Sequence, residues 1–361
     1  MEKTSTHTHH LSSINVLFTD SWEMFKGSVL NVFILAIISL VVCIAVFIVG
    51  ILLSLPFGAV AVFSAITSQK ITPEFFSSLA GIGVVAVIFL IVTTLIGFAF
   101  QAATVMVVAN YKQKPEAVKS LKQSIPFMLP LFLASIVSGF VLSGGFFLFI
   151  IPGIFFSVLF YFVVFEIVLN NKGVLASFRR SSGIVLANFW GIFGRVALWV
   201  GIVIAISLIP QIAVSSTESS ELASLWSIAS FFINIFISWY GISYAVTLYK
   251  QAEKAAPEGK HGKLLWPVIT AVVGWIVGIL VIVGIVYAII NIVVPQIQKM
   301  GQAQENLKRI EQMQQNENAT PEDFLNLFPT GSAERAQLQK QIEEEMQNND
   351  SMMYVSVTPT Q

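Results

Sequence analysis

An all-α, polytopic bundle of about seven transmembrane helices is the fold class this sequence predicts, and three observations predict it. First, 55% of the residues are hydrophobic and only 11% charged, where a soluble domain carries roughly 25% charged residues. Second, seven apolar blocks are long enough, or nearly so, to cross the roughly 30 Å hydrocarbon layer with about 20 residues each. Third, 14 of the 20 Lys and Arg fall in the termini and loops on alternate sides of these blocks. One set of segments carries Lys3 and Lys26, then Lys112, Lys114, Lys119 and Lys122, then Lys172, Arg179, Arg180 and Arg195, then Lys250, Lys254, Lys260 and Lys263; the opposite loops carry only Lys70. Short cytoplasmic loops retain Lys and Arg, so the amino terminus is expected in the cytoplasm and the carboxyl-terminal tail outside it, most simply at the cell membrane.

In chain order, residues 1–12 are polar and expected to be disordered. His7, His9 and His10 are close enough to share a metal, but no Cys or carboxylate cluster accompanies them, so no metal and no cofactor is expected. The predicted spans are 29–55, 79–108, 127–150, 154–169, 189–214, 222–249 and 264–294. The first is too long, and its leader too polar, for an ordinary cleaved signal peptide, and Cys43 inside it is expected to serve packing. The third and fourth should form a tight hairpin turned at Pro152 and Gly153, since proline removes a donor and glycine permits reversal.

A motif recurs before the first, third and fifth spans. Stretches 14–25, 117–128 and 174–185 place Phe18 and Ser21, Leu121 and Ser124, and Phe178 and Ser181 in matching positions. In the first copy Ile14, Leu17, Phe18, Trp22 and Phe25 share one helical face, so each copy is expected to be an amphipathic helix lying in the membrane interface. Residues 13–250 thus form a six-span membrane domain of three units, each an interfacial helix plus a hairpin. A cytoplasmic linker, 251–263, leads to the seventh span, and a polar extracytoplasmic tail occupies 295–361.

The residues Ile151-Pro152-Gly153-Ile154, the apolar run from Tyr161 to Leu169, Lys172-Gly173-Val174-Leu175, Ser177-Phe178-Arg179-Arg180-Ser181 and Asn188-Phe189-Trp190 carry a resemblance. On these the chain resembles the membrane domain associated with some glycerophosphodiester phosphodiesterases, and its stand-alone, uncharacterised relatives. The likeness extends more loosely from Ser13 to Lys250. It implies a six-span helical architecture. The catalytic barrel of some members would need roughly 250 residues, and no soluble segment here approaches that length; the seventh span and polar tail depart from the pattern.

Glu166 is the only acidic residue within a predicted span, and an intramembrane carboxylate is costly unless paired, hydrated or protonated. Arg195, at a similar depth, is its expected partner, forming either a lock between helices or part of an ion path. Gln101, Asn110, Asn188, Asn234 and Asn291 are expected to hydrogen-bond across helices. Gly274 and Gly278 form G-x-x-x-G, which permits close helix approach, within the chain or in a homo-oligomer. Lys119, Lys122, Arg179 and Arg180 are expected to contact anionic lipid headgroups.

From Pro295 onward the chain turns rich in Gln, Asn and Glu. Met300, Ala303, Leu307 and Ile310 form one helical stripe, and Leu338, Ile342 and Met346 another. Between them Thr320-Pro321-Glu322-Asp323 has the order of a helix start, and Asn318-Ala319-Thr320 fits a glycosylation sequon. The tail is thus expected to be part helical and part disordered, and to be a surface for a protein partner. No hydrolase, nucleotide-binding or metalloprotease motif stands in a supporting context. Zero formal charge argues against nucleic acid as a partner. The expected function is a non-enzymatic membrane scaffold or accessory subunit, with membrane lipids as partners; the rival is a transporter or channel whose path passes near Glu166.

Overall fold

The structure is a computed structural model that describes residues 11–68, 73–215, 220–257 and 262–298, together with scattered positions of the tail. His7, His9 and His10, the sequon and the helix-start sequence at 320–323 lie outside the described residues, and of the two tail stripes only Met300 and Ile342 lie within them. Among the described residues every regular element is helical. The helices are α1 (Ile14–Ser68), α2 (Pro73–Ala109), α3 (Ala117–Ser124), α4 (Met128–Leu148), α5 (Ile150–Leu159), α6 (Val163–Val168), α7 (Val174–Ala187), α8 (Phe189–Ser215), α9 (Ser220–Ala255) and α10 (Leu265–Ala288). Among the described residues, seven helical segments are long and apolar enough to cross a membrane. Their outer faces agree: Leu30, Leu90, Leu129, Phe149 and Leu280 are each more than half exposed, which water would penalise and hydrocarbon does not.

One compact unit extends to Gly278 and thus takes in the first half of the seventh span. In the second unit, which begins at Ile279, α10 continues to Ala288 and passes into a π-helical stretch, Ile289–Val293.

The three expected interfacial helices have different fates. The first does not exist as a separate element: residues 14–25 open α1, which runs without a break for 55 residues. Its buried positions, Leu17, Ser21, Met24, Ser28, Val32 and Leu35, repeat at helical spacing straight through the expected boundary, so one continuous stripe keeps the helix intact. Trp22 and Phe25 pack on Phe236 and Tyr240 of α9, with ring centroids 5.2–6.4 Å apart. The second copy is a separate helix, α3, with Ala117, Ser120 and Ser124 buried on one face. The third, α7, is a core helix: from Ser177 to Val185 only Arg179 is exposed.

The serine of the repeated motif sets the third copy apart from the first two. Ser21, Ser124 and Ser181 are all fully buried. In the first two copies the hydroxyl donates to a carbonyl of its own helix, Leu17 O at 2.6 Å and Leu121 O at 2.7 Å. Ser181 instead reaches a different element, the fourth span, which is interrupted at Phe160–Phe162 between α5 and α6. There its hydroxyl donates to Leu159 O at 2.9 Å and accepts from Phe162 N–H at 3.2 Å. A break in a buried span leaves backbone groups that lipid cannot satisfy, and this one hydroxyl satisfies two of them. Ser181→Ala should therefore destabilise the domain by about 2 kcal/mol, two ordinary buried hydrogen bonds, read as an earlier thermal unfolding in detergent.

The α3–α4 to α5 hairpin also turns elsewhere than expected. The reversal is at Phe149, whose backbone is extended, and Pro152 and Gly153 lie inside the first turn of α5. A proline is tolerated there because first-turn N–H groups lack helical partners anyway. Gly153 serves close packing: a Cβ on it would collide with the Phe146 ring of α4.

Candidate functional site

Glu166 sits in α6, one short helix beyond the break, and is fully buried. Its partner is not Arg195. Oε2 accepts from Lys172 Nζ at 2.7 Å and from Asn170 Nδ2 at 3.2 Å, and Oε1 accepts from the Tyr249 hydroxyl at 3.0 Å. Asn170 Nδ2 also lies 2.7 Å from the Tyr249 oxygen and 2.8 Å from Glu253 Oε1. The local cause is the loop after α6. Asn171 adopts φ 48°, a left-handed conformation that asparagine tolerates better than most residues, and this turns Lys172 back so that its own N–H reaches Glu166 O at 3.2 Å. The cation that neutralises the carboxylate thus comes from six residues along the same chain, Asn170 of the same loop adds a second bond, and Tyr249 of α9 adds the third.

Arg195 ties a different pair of segments. Its Nη1 donates to Gly191 O in its own helix at 2.8 Å, and its Nη2 donates to Ser12 O of the amino-terminal segment. Arg180 does not face headgroups either: it is buried and Nη1 donates to Pro257 O, at 3.1 Å, in the chain leaving α9. Beside it, Gly262 N–H donates to Arg179 O at 2.8 Å, so Pro257 and Gly262 of the expected linker are both tied to α7, while its first five residues, 251–255, belong to α9. Lys119, Lys122 and Arg179 are exposed. Lys250 of α9 donates through Nζ to Ala109 O, 2.6 Å away, at the carboxyl-terminal end of α2, where a cation meets the negative end of the helix dipole.

These contacts gather the basic segments at one end of the first unit. A polar cavity of about 680 Å³ opens there. Asn110, Lys114, Glu116 and Lys119 line it from the α2–α3 connection, and Asn170, Lys250 and Glu253 from the side that holds Glu166. A second, mostly apolar cavity of about 410 Å³ lies along α2, α8, α9 and the α5–α6 break; Gln101, Tyr161 and Trp199 are among its walls. Neither cavity was legible in the sequence. Both are made by segments far apart in the chain, although the local pair Glu166 and Lys172, separated only by a loop with two asparagines, was a signal that sequence reading could have used.

Gly274 and Gly278 are packed inside the chain. Gly274 lies against the Gly144 backbone and Gly278 against the Phe147 ring, while Trp275 between them stacks on Phe140 at 5.7 Å and donates to Phe140 O at 3.1 Å. The face that could have met a second copy is covered by α4. The amides of Asn110, Asn234 and Asn291 donate to carbonyls four residues back in the chain rather than across to a neighbour, and Cys43 is exposed rather than packed.

Among protein families, a profile described as a domain of unknown function, DUF7847, matches residues 67–252. No curated protein and no solved structure matches the chain. The matched stretch runs from the end of α1 into the last turns of α9 and contains Glu166, Asn170, Lys172, Tyr249 and Lys250; α10 lies beyond it.

Proposed function

The chain belongs to the DUF7847 family of domains of unknown function, and from that premise we propose that it serves as a non-enzymatic membrane scaffold or accessory subunit. One observation carries the reading: its inward-facing charges join segments distant in sequence. Glu166 is bound to Tyr249, Arg180 to Pro257, Arg195 to Ser12 and Lys250 to Ala109. Each tie crosses between elements and holds them in one arrangement, as a platform requires. The basic end, by the charge rule, faces the cytoplasm and the tail beyond α10 lies outside, where it is available to a protein partner. The resemblance to glycerophosphodiester phosphodiesterase membrane domains lends the reading a shared architecture and no activity.

A carrier with a path beside Glu166 is the second reading, favoured by the interrupted fourth span. Discontinuous helices often surround transported substrates. Mass spectrometry of the protein and of Glu166→Gln, both extracted in native lipid discs, separates the two. A stoichiometric protein partner retained by both supports the scaffold. Absence of any partner, together with a proton flux in liposomes that Glu166→Gln abolishes, would overturn it.

The orientation has its own test. In a Cys43→Ser background, a Lys122→Cys variant should resist a membrane-impermeant maleimide on intact cells and react fully after permeabilisation. Labelling before permeabilisation would reverse the assignment.

A further inference from the structure

The polar and apolar cavities are stacked on the same three elements, one helical turn apart. On α2 the apolar groove is lined by Val105 and the polar cavity by Ala109; on α6 by Val164 and Val168; on α9 by Ala245 and Tyr249. Four residues along a helix correspond to about 6 Å, so the groove lies directly beneath the cavity on the side away from the basic loops. A ring pair stands where they meet, Tyr249 lining the cavity and Phe165 the groove, with centroids 5.3 Å apart and planes at 27°. Gln101 and Ser238 on the groove's rim are exposed, so the groove opens sideways toward the space that lipid occupies. Both volumes lie within the roughly 300–1,000 Å³ of small-molecule sites.

The charges say what kind of head the upper cavity fits. Lys114, Lys119 and Lys250 face it against Glu116 and Glu253. Glu253 already accepts from Asn170, and Lys250, held by Ala109 O, keeps two of its three N–H donors. The amino-terminal end of α3 opens on the same space through Glu116, Lys119 and Ser120, and no side chain caps its first turn, so its dipole adds to the positive lining. A cationic polar chamber over an apolar slot open to the bilayer is complementary to an amphiphile with an anionic head.

We propose that this stacked pair is a binding site for one anionic glycerophospholipid, with the phosphate and head in the upper cavity and one acyl chain in the groove along Trp199, Val105 and Ala245. The site goes beyond the scaffold role and stands without it: a structural lipid, a regulatory lipid or a presented lipid would all bind here.

Trp199 in the groove wall provides the readout. The full chain is reconstituted in phosphatidylcholine discs, and a small fraction of the lipid is replaced by phosphatidylglycerol or by phosphatidylcholine, each brominated on an acyl chain. Brominated phosphatidylglycerol should quench at about ten-fold lower mole fraction than brominated phosphatidylcholine, a difference of about 1.4 kcal/mol. Trp199→Phe should remove this selective component, and so should the exposed pair Lys114→Glu with Lys119→Glu, which leaves the helix packing untouched. Equal quenching by the two lipids would mean ordinary boundary lipid and overturn the proposal. Selectivity that survives the double lysine variant would place the anion elsewhere and overturn it too. Water-soluble glycerol 3-phosphate at the same concentration should not compete; if it removed the difference, the cavity would be a free-phosphate site and the groove no part of it.

Discussion

Glu166→Ala should lower the stability of the membrane domain by about 3–5 kcal/mol, the range for removing one partner of a buried ion pair, and more than any other single side-chain truncation in the network. Alanine leaves the Tyr249 hydroxyl without its acceptor and Lys172 without its counter-ion, while the Asn170 amide keeps Glu253 Oε1. The low end of the range is the expected one, because the Lys172 side chain is 33% exposed and can turn toward water. Glu166→Gln should be milder, about 1–2 kcal/mol, since an amide oxygen can still accept from Tyr249 while the charge-assisted bond to Lys172 is lost. Tyrosine fluorescence or size-exclusion profiles against temperature would read the order wild type, glutamine, alanine. Tyr249→Phe combined with Glu166→Ala should cost less than the sum of the two, because they remove the same bond. If the alanine variant melts with the wild type, the network contributes nothing and the carboxylate is hydrated from the polar cavity.

Gly274→Leu should displace α10 from α4, with a loss of about 3 kcal/mol or more, the upper end for overpacking. A Cβ at residue 274 would overlap the Gly144 carbonyl, and α4 backbone cannot rotate away as a side chain would. The stacked Trp275–Phe140 pair and the Trp275 hydrogen bond to Phe140 O must separate as the helices part, so Trp275 emission should shift along with the melting temperature. Gly284→Leu is the control, because nothing lies within 4 Å of a Cβ there. An unchanged melting curve for Gly274→Leu would mean that α10 is held by other contacts, such as Trp266 against Phe155 and Phe156 at 5.5 Å. A change in oligomeric state without a change in stability would instead return the G-x-x-x-G face to a second copy.

The unevenness of what could be read beforehand follows from the kind of information each feature needs. The seven apolar segments, the helical class and the clustering of basic residues are legible because transfer to hydrocarbon is nearly additive over one contiguous segment. The repeated motif is visible as spacing, and the apolar face of its first copy predicts helices lying in the interface, whereas all three of its serine hydroxyls are buried and satisfied by backbone. Pro152 and Gly153 suggested the turn because those residue types break helices, yet proline is equally at home in a first turn and Phe149 takes the reversal. Depth in the bilayer pairs Glu166 with Arg195, while a left-handed Asn171 brings Lys172 to it from nearer in the chain.

By itself the sequence determined that this is a helical protein with seven segments able to cross a membrane and with 14 of its 20 Lys and Arg in alternate segments between them, since those properties are sums over neighbouring residues. Only the tertiary structure decided that the fourth span is broken and mended by Ser181, that Glu166 answers to Lys172 and Tyr249, that Gly274 meets Gly144, and that a polar cavity stands over an apolar groove. Each of these depends on the distance between groups up to a hundred or more residues apart, and a hydrogen bond or a glycine contact is made or lost within about 1 Å, a precision that composition and periodicity do not carry.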